Sequence, residues 1–381
     1  MKIAIIKRKF LESGGGGAEK YAQHACSGLA ALGHDITIIT EKFSTIKGSS
    51  YKYIKISKSA KISSSGTTSF NKRVQKYIKV ENLKDKFDII YALSRTSPIT
   101  IFRAAEQIHA DWLKTNKPKI QQLNPRHRGI LKLEKNICNI ANTKAIVTNS
   151  QLVKNLINKI YEYPEENIHV IRNGIDRKKF YPAADANEKN KLRKKLFNTE
   201  YRDKTVLLFA GANFEIKGLK NALEAISKLN KEILDKIVFY VIGGDSPVEY
   251  IQFAEKLNIS EKIHFVGNKS NMRDYYACAD LFLFPSLGEP FGNVCLEACT
   301  CGLPVLTTIQ NGSSELITDS KNGYIIDRSK NINAMTKSIT KYIMMSLSEK
   351  EAFSKAAIEA TKNYSWEKHV MTLENLFNEL K

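Results

Sequence analysis

The sequence predicts an α/β protein of two halves, each a parallel sheet with helices on both faces. Three observations carry this. Short runs rich in Ile, Val and Phe alternate with helix-period stretches along the chain, the pattern of parallel strands joined by crossover helices. The runs are continuously apolar rather than alternating, as strands covered on both faces are. The 381 residues suit two cores at about 150 residues per domain.

In the first half, residues 3–6, 36–40, 53–56, 88–92, 145–148 and 168–171 read as strands. Residues 18–32, 98–113 and 151–160 read as helices, and the polar run 63–69 as a mobile loop. The break falls between Asn173-Gly174 and Thr205. Residues 176–204 are polar, highly charged and contain Pro182, which suits a linker with a short helix. In the second half the strands are 205–210, 237–242, 262–266, 281–284, 304–307 and 324–326; the helices are 218–229, 248–257, 272–278 and 294–301. Residues 365–380 carry Trp366, Val370, Leu373, Leu376, Phe377 and Leu380 at helical spacing, an apolar stripe that suits packing on either half.

Composition excludes several classes. A 43% apolar chain buries real cores and is not globally disordered. Its longest apolar runs, 237–242 and 279–284, fall far short of the ~18–20 residues of a membrane-spanning helix. The apolar run 3–6 near the N-terminus is too short for a signal peptide, which points to the cytoplasm. Cys26, Cys138, Cys278, Cys295, Cys299 and Cys301 show no pairing by spacing. The cluster 295–301 lacks a fourth zinc ligand nearby, so buried thiols are expected and no metal.

The charge is one-sided. Residues 1–180 hold 33 Lys+Arg and 14 Asp+Glu, a balance of +19; residues 181–381 hold 26 and 25, a balance of +1. The densest stretch, 42–86, has 12 basic residues against Glu81 and Asp85, with Tyr51, Tyr53, Phe70, Tyr77 and Phe87 among them. A second cluster runs from Arg103 to Lys132 and includes Trp112, Lys114, Lys117, Lys119, Arg126 and Arg128. Such a field implies an anionic partner: lipid headgroups, nucleic acid or a phosphorylated acceptor. The sequence carries no zinc finger, RRM signature or clear helix-turn-helix, so nucleic acid is not the expected partner.

Three loops carry chemistry. Gly14-Gly15-Gly16-Gly17-Ala18-Glu19 follows the first strand and opens a helix, where backbone amides approach an anion closely. It matches neither the dinucleotide fingerprint, since Glu19 occupies the sixth position, nor the Walker pattern. Gly211-Ala212-Asn213-Phe214-Glu215-Ile216-Lys217-Gly218 closes a strand and sets Lys217 at a helix start, suited to a phosphate. Gly288-Glu289-Pro290-Phe291-Gly292-Asn293-Val294-Cys295-Leu296-Glu297 follows a strand ending Phe284-Pro285-Ser286. Its amides suit a diphosphate, and its two carboxylates suit sugar hydroxyls. No two aspartates lie two positions apart, so the Asp-x-Asp metal–diphosphate device is missing. His109 alone reads as a structural hydrogen bonder.

These residues resemble the retaining glycosyltransferases of carbohydrate-active enzyme family 4, over nearly the whole chain. The Glu289–Glu297 spacing carries the resemblance, with Cys301-Gly302-Leu303-Pro304-Val305, Asn173-Gly174-Ile175-Asp176 and Gly323. Gly16–Glu19 and the Arg103, His109, Trp112-Leu113 segment are similar to the subgroup that adds the first glucose to the lipopolysaccharide inner core. The resemblance implies the GT-B fold: two Rossmann-like domains facing each other across a cleft. Residues 1–175 would form the acceptor-side domain, joined by a C-terminal helix at 362–381, and 176–361 the sugar-nucleotide domain. It implies a catalytic set of Glu289 on the donor-sugar hydroxyls, Lys217 on the leaving diphosphate and His109 near the sugar. Glu297 would hold the ribose. Gly211, Asn213 and the amides of Phe291, Gly292, Asn293 and Val294 would complete the donor site, with Gly16 and Gly17 closing from the other domain. Trp112, Lys114, Lys117, Lys119, Arg126 and Arg128 are the candidate acceptor or membrane residues. Two positions depart from the family: Ile216 replaces a frequent basic residue, and Asn213 a frequent Arg.

The expected activity is transfer of a hexose, glucose from UDP-glucose, to a lipopolysaccharide core or other lipid-linked glycan at the inner membrane face. No metal or other cofactor is implied, the UDP-sugar being a co-substrate. A sugar-nucleotide 2-epimerase on the same fold and a non-enzymatic nucleic-acid-binding protein are the alternatives; the first leaves the basic half without a task, the second leaves Glu289 and Glu297 unexplained.

Overall fold

The computed structural model describes residues 1–12, 16–57, 66–116, 124–197 and 203–381. The chain forms two compact units, Met1–Gly174 with Tyr364–Lys381, and Ile175–Asn363.

The first unit is built on a seven-stranded sheet in the order β5-β3-β1-β6-β7-β8-β9 among the described residues. The strands are β1 (Lys2–Ile6), β3 (Asp35–Thr40), β5 (Lys52–Lys55), β6 (Ile89–Ala92), β7 (Ile99–Ala104), β8 (Thr143–Thr148) and β9 (Ile168–Val170), all parallel. A small ribbon pairs β2 (Lys9–Phe10) with β4 (Lys42–Phe43). On one face the helix Gly17–Ala31 buries Tyr21, Ala25 and Leu29, beside Val370, Leu373, Leu376 and Phe377 of the helix Trp366–Leu380. Gly28 lets these two helices approach: a Cβ there would overlap Val370. On the other face the helix Thr67–Val80 buries Phe70, Val74 and Ile78. Leu133 and Ile137 of the helix Pro125–Ile137 join it, as do Val153 and Ile157 of the helix Gln151–Tyr161.

Residues 98–113 do not form one helix. Ile99–Ala104 is β7, inserted between β6 and β8, and a helix begins only at His109. Ile99, Ile101, Phe102 and Ala104 are all buried. A strand covered on both faces shows no alternation and so resembles a buried helix segment; the β-branched run Ile99-Thr100-Ile101 is the feature that separates them. Thr67–Ser69, read as loop, are the first turn of a helix whose N-cap is Gly66. Residues 63–65 lie outside the described residues.

The second unit has a six-stranded parallel sheet, β12-β11-β10-β13-β14-β15, among the described residues. Its strands are β10 (Thr205–Ala210), β11 (Ile237–Ile242), β12 (Ile263–Gly267), β13 (Leu281–Phe284), β14 (Val305–Thr308) and β15 (Gly323–Ile326). The helix Ala186–Leu196 precedes the sheet. The helices Ile332–Ile343 and Leu347–Ala360 follow it, and Met335, Ile339, Tyr342 and Phe353 enter the same core. In each sheet the strand order reverses at one place: β1 beside β6, and β10 beside β13. Loops leaving the carboxyl ends of strands at such a reversal form the binding crevice of open α/β sheets. Gly16 and the helix Gly17–Ala31 come after β1 and the short β2; the Lys217 and Glu289 loops follow β10 and β13.

Candidate functional site

In the second unit the loops after β10 and β13 are tied to one another. The Ile216 carbonyl accepts from Leu287 N at 2.8 Å and from Ser286 Oγ at 3.2 Å. Gly218 is the N-cap of the helix Leu219–Ser227 with φ +80°, and a Cβ there would overlap the Pro285 carbonyl oxygen. Gly211 and Asn213 lie on the approach to that helix, Asn213 at φ 61°, a left-handed conformation Asn tolerates better than most residues.

These ties bring Lys217 and Glu289 together. Lys217 Nζ forms an ion pair with Glu289 Oε2 and lies 5.4 Å from the centroid of Phe284. Burial pulls the Lys217 ammonium down to about 8 from its ordinary 10.5. Glu289 is pinned through its backbone: its N–H donates to the Gln310 carbonyl at 3.0 Å, and its carbonyl accepts from Gly312 N at 2.9 Å. The helix Asn293–Thr300 then starts at Gly292, the N-cap, with φ +75°. A Cβ on Gly292 would lie 2.9 Å from Asn311 Oδ1 and 3.3 Å from Glu289 Cγ. The Phe291–Val294 segment is therefore a helix N-terminus with the Lys217–Glu289 pair beside it, a geometry that favours a diphosphate. One turn on, Glu297 accepts from the Tyr276 hydroxyl at 3.2 Å. Burial raises the Tyr276 pKa well above 10, so that phenol stays a neutral donor.

Sequence reasoning missed Asn311. It is fully buried; Nδ2 donates to Thr307 Oγ1 at 2.8 Å and to Cys295 Sγ at 3.5 Å, and Oδ1 accepts from Ser313 N at 3.2 Å. It underpins both Gly292 and the segment that pins Glu289. The signal was available in Asn311-Gly312-Ser313, a turn cluster that begins three positions after the end of β14. The thiols of Cys295, Cys299 and Cys301 are free and buried. Among the described residues, no group of three or more His, Cys, Asp or Glu is disposed to hold a metal ion.

In the first unit, Gly16 is the N-cap of the helix Gly17–Ala31, with Gly17 its first residue; both are exposed. Gly14 and Gly15 lie outside the described residues. Glu19, in the first turn, reaches Lys7 at 3.9 Å, just beyond the end of β1. His109 opens the helix His109–Asn116. Glu134, buried in the neighbouring helix, caps that start: Oε1 accepts from His109 N at 2.9 Å and Oε2 from Ala110 N at 3.1 Å. Tyr161 Oη donates to Glu134 at 2.6 Å, and Arg95 Nε lies 3.5 Å away. His109 stacks on Trp112 and meets His127.

The basic residues divide. Lys114, Arg126 and Arg128 are exposed. Lys117 and Lys119 lie outside the described residues. Arg103 does not join the surface cluster. It is buried, with its guanidinium 3.3 Å from the Tyr21 ring centroid and Nη2 donating to Asn173 Oδ1 at 2.8 Å. Its place on β7, in a covered sheet, is the reason. No helix among the described residues is long and apolar enough to cross a membrane.

Two family models match successive parts of the chain: Glycosyltransferase Family 4 over residues 15–179, and Glycosyl transferases group 1 over residues 189–360. The lipopolysaccharide glucosyltransferase WaaG of Escherichia coli K12 is 25% identical over 312 residues, 82% of each chain. A crystal structure of WaaG, a glycosyltransferase involved in lipopolysaccharide biosynthesis, superposes with a TM-score of 0.83 at 22% identity, covering 98% of this chain and 99% of that one. Anabaena HepE in complex with UDP-glucose superposes at 0.73 and 17% identity over the full length of both chains. The two parallel sheets and these matches together make the chain a member of the GT-B glycosyltransferases, of the family 4 and group 1 type.

Proposed function

We propose that the chain transfers a hexose, glucose from UDP-glucose, onto a lipopolysaccharide core or another lipid-linked glycan at the cytoplasmic face of the membrane, with retention of configuration and without a metal. The observation that carries this reading is Lys217, a half-buried ammonium paired with Glu289 at the start of the helix Asn293–Thr300. Lys217 and the amides of Phe291, Gly292, Asn293 and Val294 neutralise the charge that grows on the diphosphate as its bond to the anomeric carbon breaks. Glu289 accepts hydrogen bonds from the sugar hydroxyls, and Glu297 from the ribose. The acceptor hydroxyl attacks from the face the diphosphate leaves, and its proton passes to the departing phosphate, so no protein nucleophile is required. The names of WaaG and of the HepE complex support glucose and UDP. The +19 balance of residues 1–180 and the exposed Lys114, Arg126 and Arg128 support an anionic membrane surface as partner.

Thermal-shift and hydrolysis assays against UDP-, GDP- and ADP-sugars, with and without EDTA, test the donor site. Stabilisation by UDP-glucose with EDTA-resistant release of glucose is expected. No stabilisation by any sugar nucleotide, or loss of turnover in EDTA, overturns the corresponding part. Flotation with neutral and anionic liposomes tests the membrane.

A further inference from the structure

Two imidazoles meet at the start of the helix His109–Asn116. His109 Nε2 lies 3.1 Å from His127 Nδ1. Both rings lie against Trp112: His109 stacked at 5.6 Å and 21°, His127 tilted at 5.9 Å and 51°. A hydrogen bond between two neutral imidazoles needs one proton and permits two arrangements. In the first, His109 donates from Nε2; His109 is then the Nε2–H tautomer, and His127, bare at Nδ1, is the Nε2–H tautomer as well. In the second, His127 donates from Nδ1, and both rings must take the Nδ1–H form. The Nε2–H form is the lower in energy for a neutral histidine side chain, so the first arrangement is preferred at both rings at once.

His109 is held neutral. His109 opens one helix and His127 lies in the first turn of another, so each sits at a positive helix end. Burial lowers the His109 pKa; Arg95, His127 and Arg126 act in the same direction, and Glu134 opposes them. Arg95 is itself paired with Glu106, and Glu134 is bonded to the Tyr161 hydroxyl. Among the described residues, His109 Nδ1 has no hydrogen-bond partner.

We propose that His127 is a positioning residue: by accepting from His109 Nε2 it fixes the tautomer in which His109 Nδ1 is a bare acceptor, so that His109 takes the hydroxyl of a neutral sugar and not the oxygen of a phosphate. An ionised phosphate oxygen has no proton to give, whereas a hydroxyl does. The assignment rests on the reading of His109 as a sugar contact, and it converts that reading into a statement about ligand class.

Long-range 1H–15N spectra of histidine-labelled protein test it directly, with His109→Ala to assign the resonances. A protonated Nε2 and bare Nδ1 on His109 are expected; a proton on Nδ1 in the wild type overturns the proposal. His127→Phe keeps an aromatic ring against Trp112 but removes the acceptor. It should release the fixed tautomer and lower kcat about tenfold, the worth of one hydrogen bond, with UDP affinity unchanged. His127→Asn places an amide oxygen near the former Nδ1 and should restore kcat to within about threefold. A Phe variant with wild-type tautomer and wild-type kcat overturns the proposal. If His109→Ala turns over as wild type, the sugar contact itself is wrong and the ligand-class assignment falls with it. The spectrum separates that failure from a wrong tautomer.

Discussion

The two units present their candidate residues by different means. In the second unit, two neighbouring loops are bound to each other and to a third segment through backbone groups: Ile216 to Leu287, and Glu289 to Gln310 and Gly312. Lys217 and Glu289 are then placed by main-chain geometry, and glycine at 218 and 292 lets the strands of loop pass close by. In the first unit the work is done by side chains. A buried carboxylate, Glu134, caps a helix from outside it, and a second imidazole fixes the first. Backbone bracing tolerates neighbouring substitutions, provided the glycines stay. Side-chain bracing makes residues far from any ligand decisive for where His109 points.

The largest expected effect falls on the backbone-braced pair. Lys217→Ala should lower transfer about 10²–10³-fold, the scale of losing one group aimed at developing charge, while the melting temperature changes little. Glu289→Ala should behave alike. If both variants retain wild-type turnover, the second unit's loops are bracing for something other than the donor. Next is Gly218→Ala, where a left-handed φ and an overlap with the Pro285 carbonyl combine. Strain alone is worth about 1–3 kcal/mol, and overlap with a main-chain oxygen adds to it. A melt that matches wild type would mean the two loops are not locked together.

A third effect is set by pH. Lys217 titrates near 8 when the site is empty, and a bound diphosphate raises that value by favouring the ammonium. UDP binding should therefore take up a proton between pH 8 and 9, and affinity should fall as pH rises through about 8. Calorimetry in buffers of different ionisation enthalpy reads the proton. In the empty protein the sign for stability is opposite. The unfolded lysine, at 10.5, binds more protons than the folded one between about 8 and 10.5, so this group's contribution to stability rises with pH across that window. Binding with no proton exchange at pH 8.5 would remove Lys217 from the diphosphate. The smallest effect belongs to the exposed cations. Arg126→Ala with Arg128→Ala should leave melting and UDP affinity unchanged and weaken binding to anionic vesicles by about 1 kcal/mol per residue. Unaltered flotation would assign the membrane contact elsewhere or nowhere.

What the sequence disclosed follows the same division. The loops after β10 and β13 were legible because backbone bracing needs glycine and turn residues at strand ends, and these stand in short contiguous motifs. The twelve principal sheet strands other than β7 were legible because each apolar run ends in a polar or glycine break. β7 was not, because full burial on both faces erased the alternation that marks a strand. Glu134 and His127 were not legible either: they act on His109 from 25 and 18 residues away, and no local pattern records a contact made by tertiary packing. Arg103 read as surface charge because it was grouped with the basic run that continues from Lys114 to Lys132; its partners, Tyr21 and Asn173, lie 82 and 70 positions away.

The helix Trp366–Leu380 belongs to the core of the first unit, where Val370, Leu373, Leu376 and Phe377 lie beside Tyr21, Leu29 and Tyr91. A ribosome makes those residues after the whole of the second unit. The portion of the chain made first is thus finished last: one face of its sheet stays partly uncovered until the end of synthesis, while the unit made second holds all its own core residues sooner. The order of maturation runs against the order of translation, and a chain stopped before residue 366 would carry a complete second unit attached to an unsealed first one.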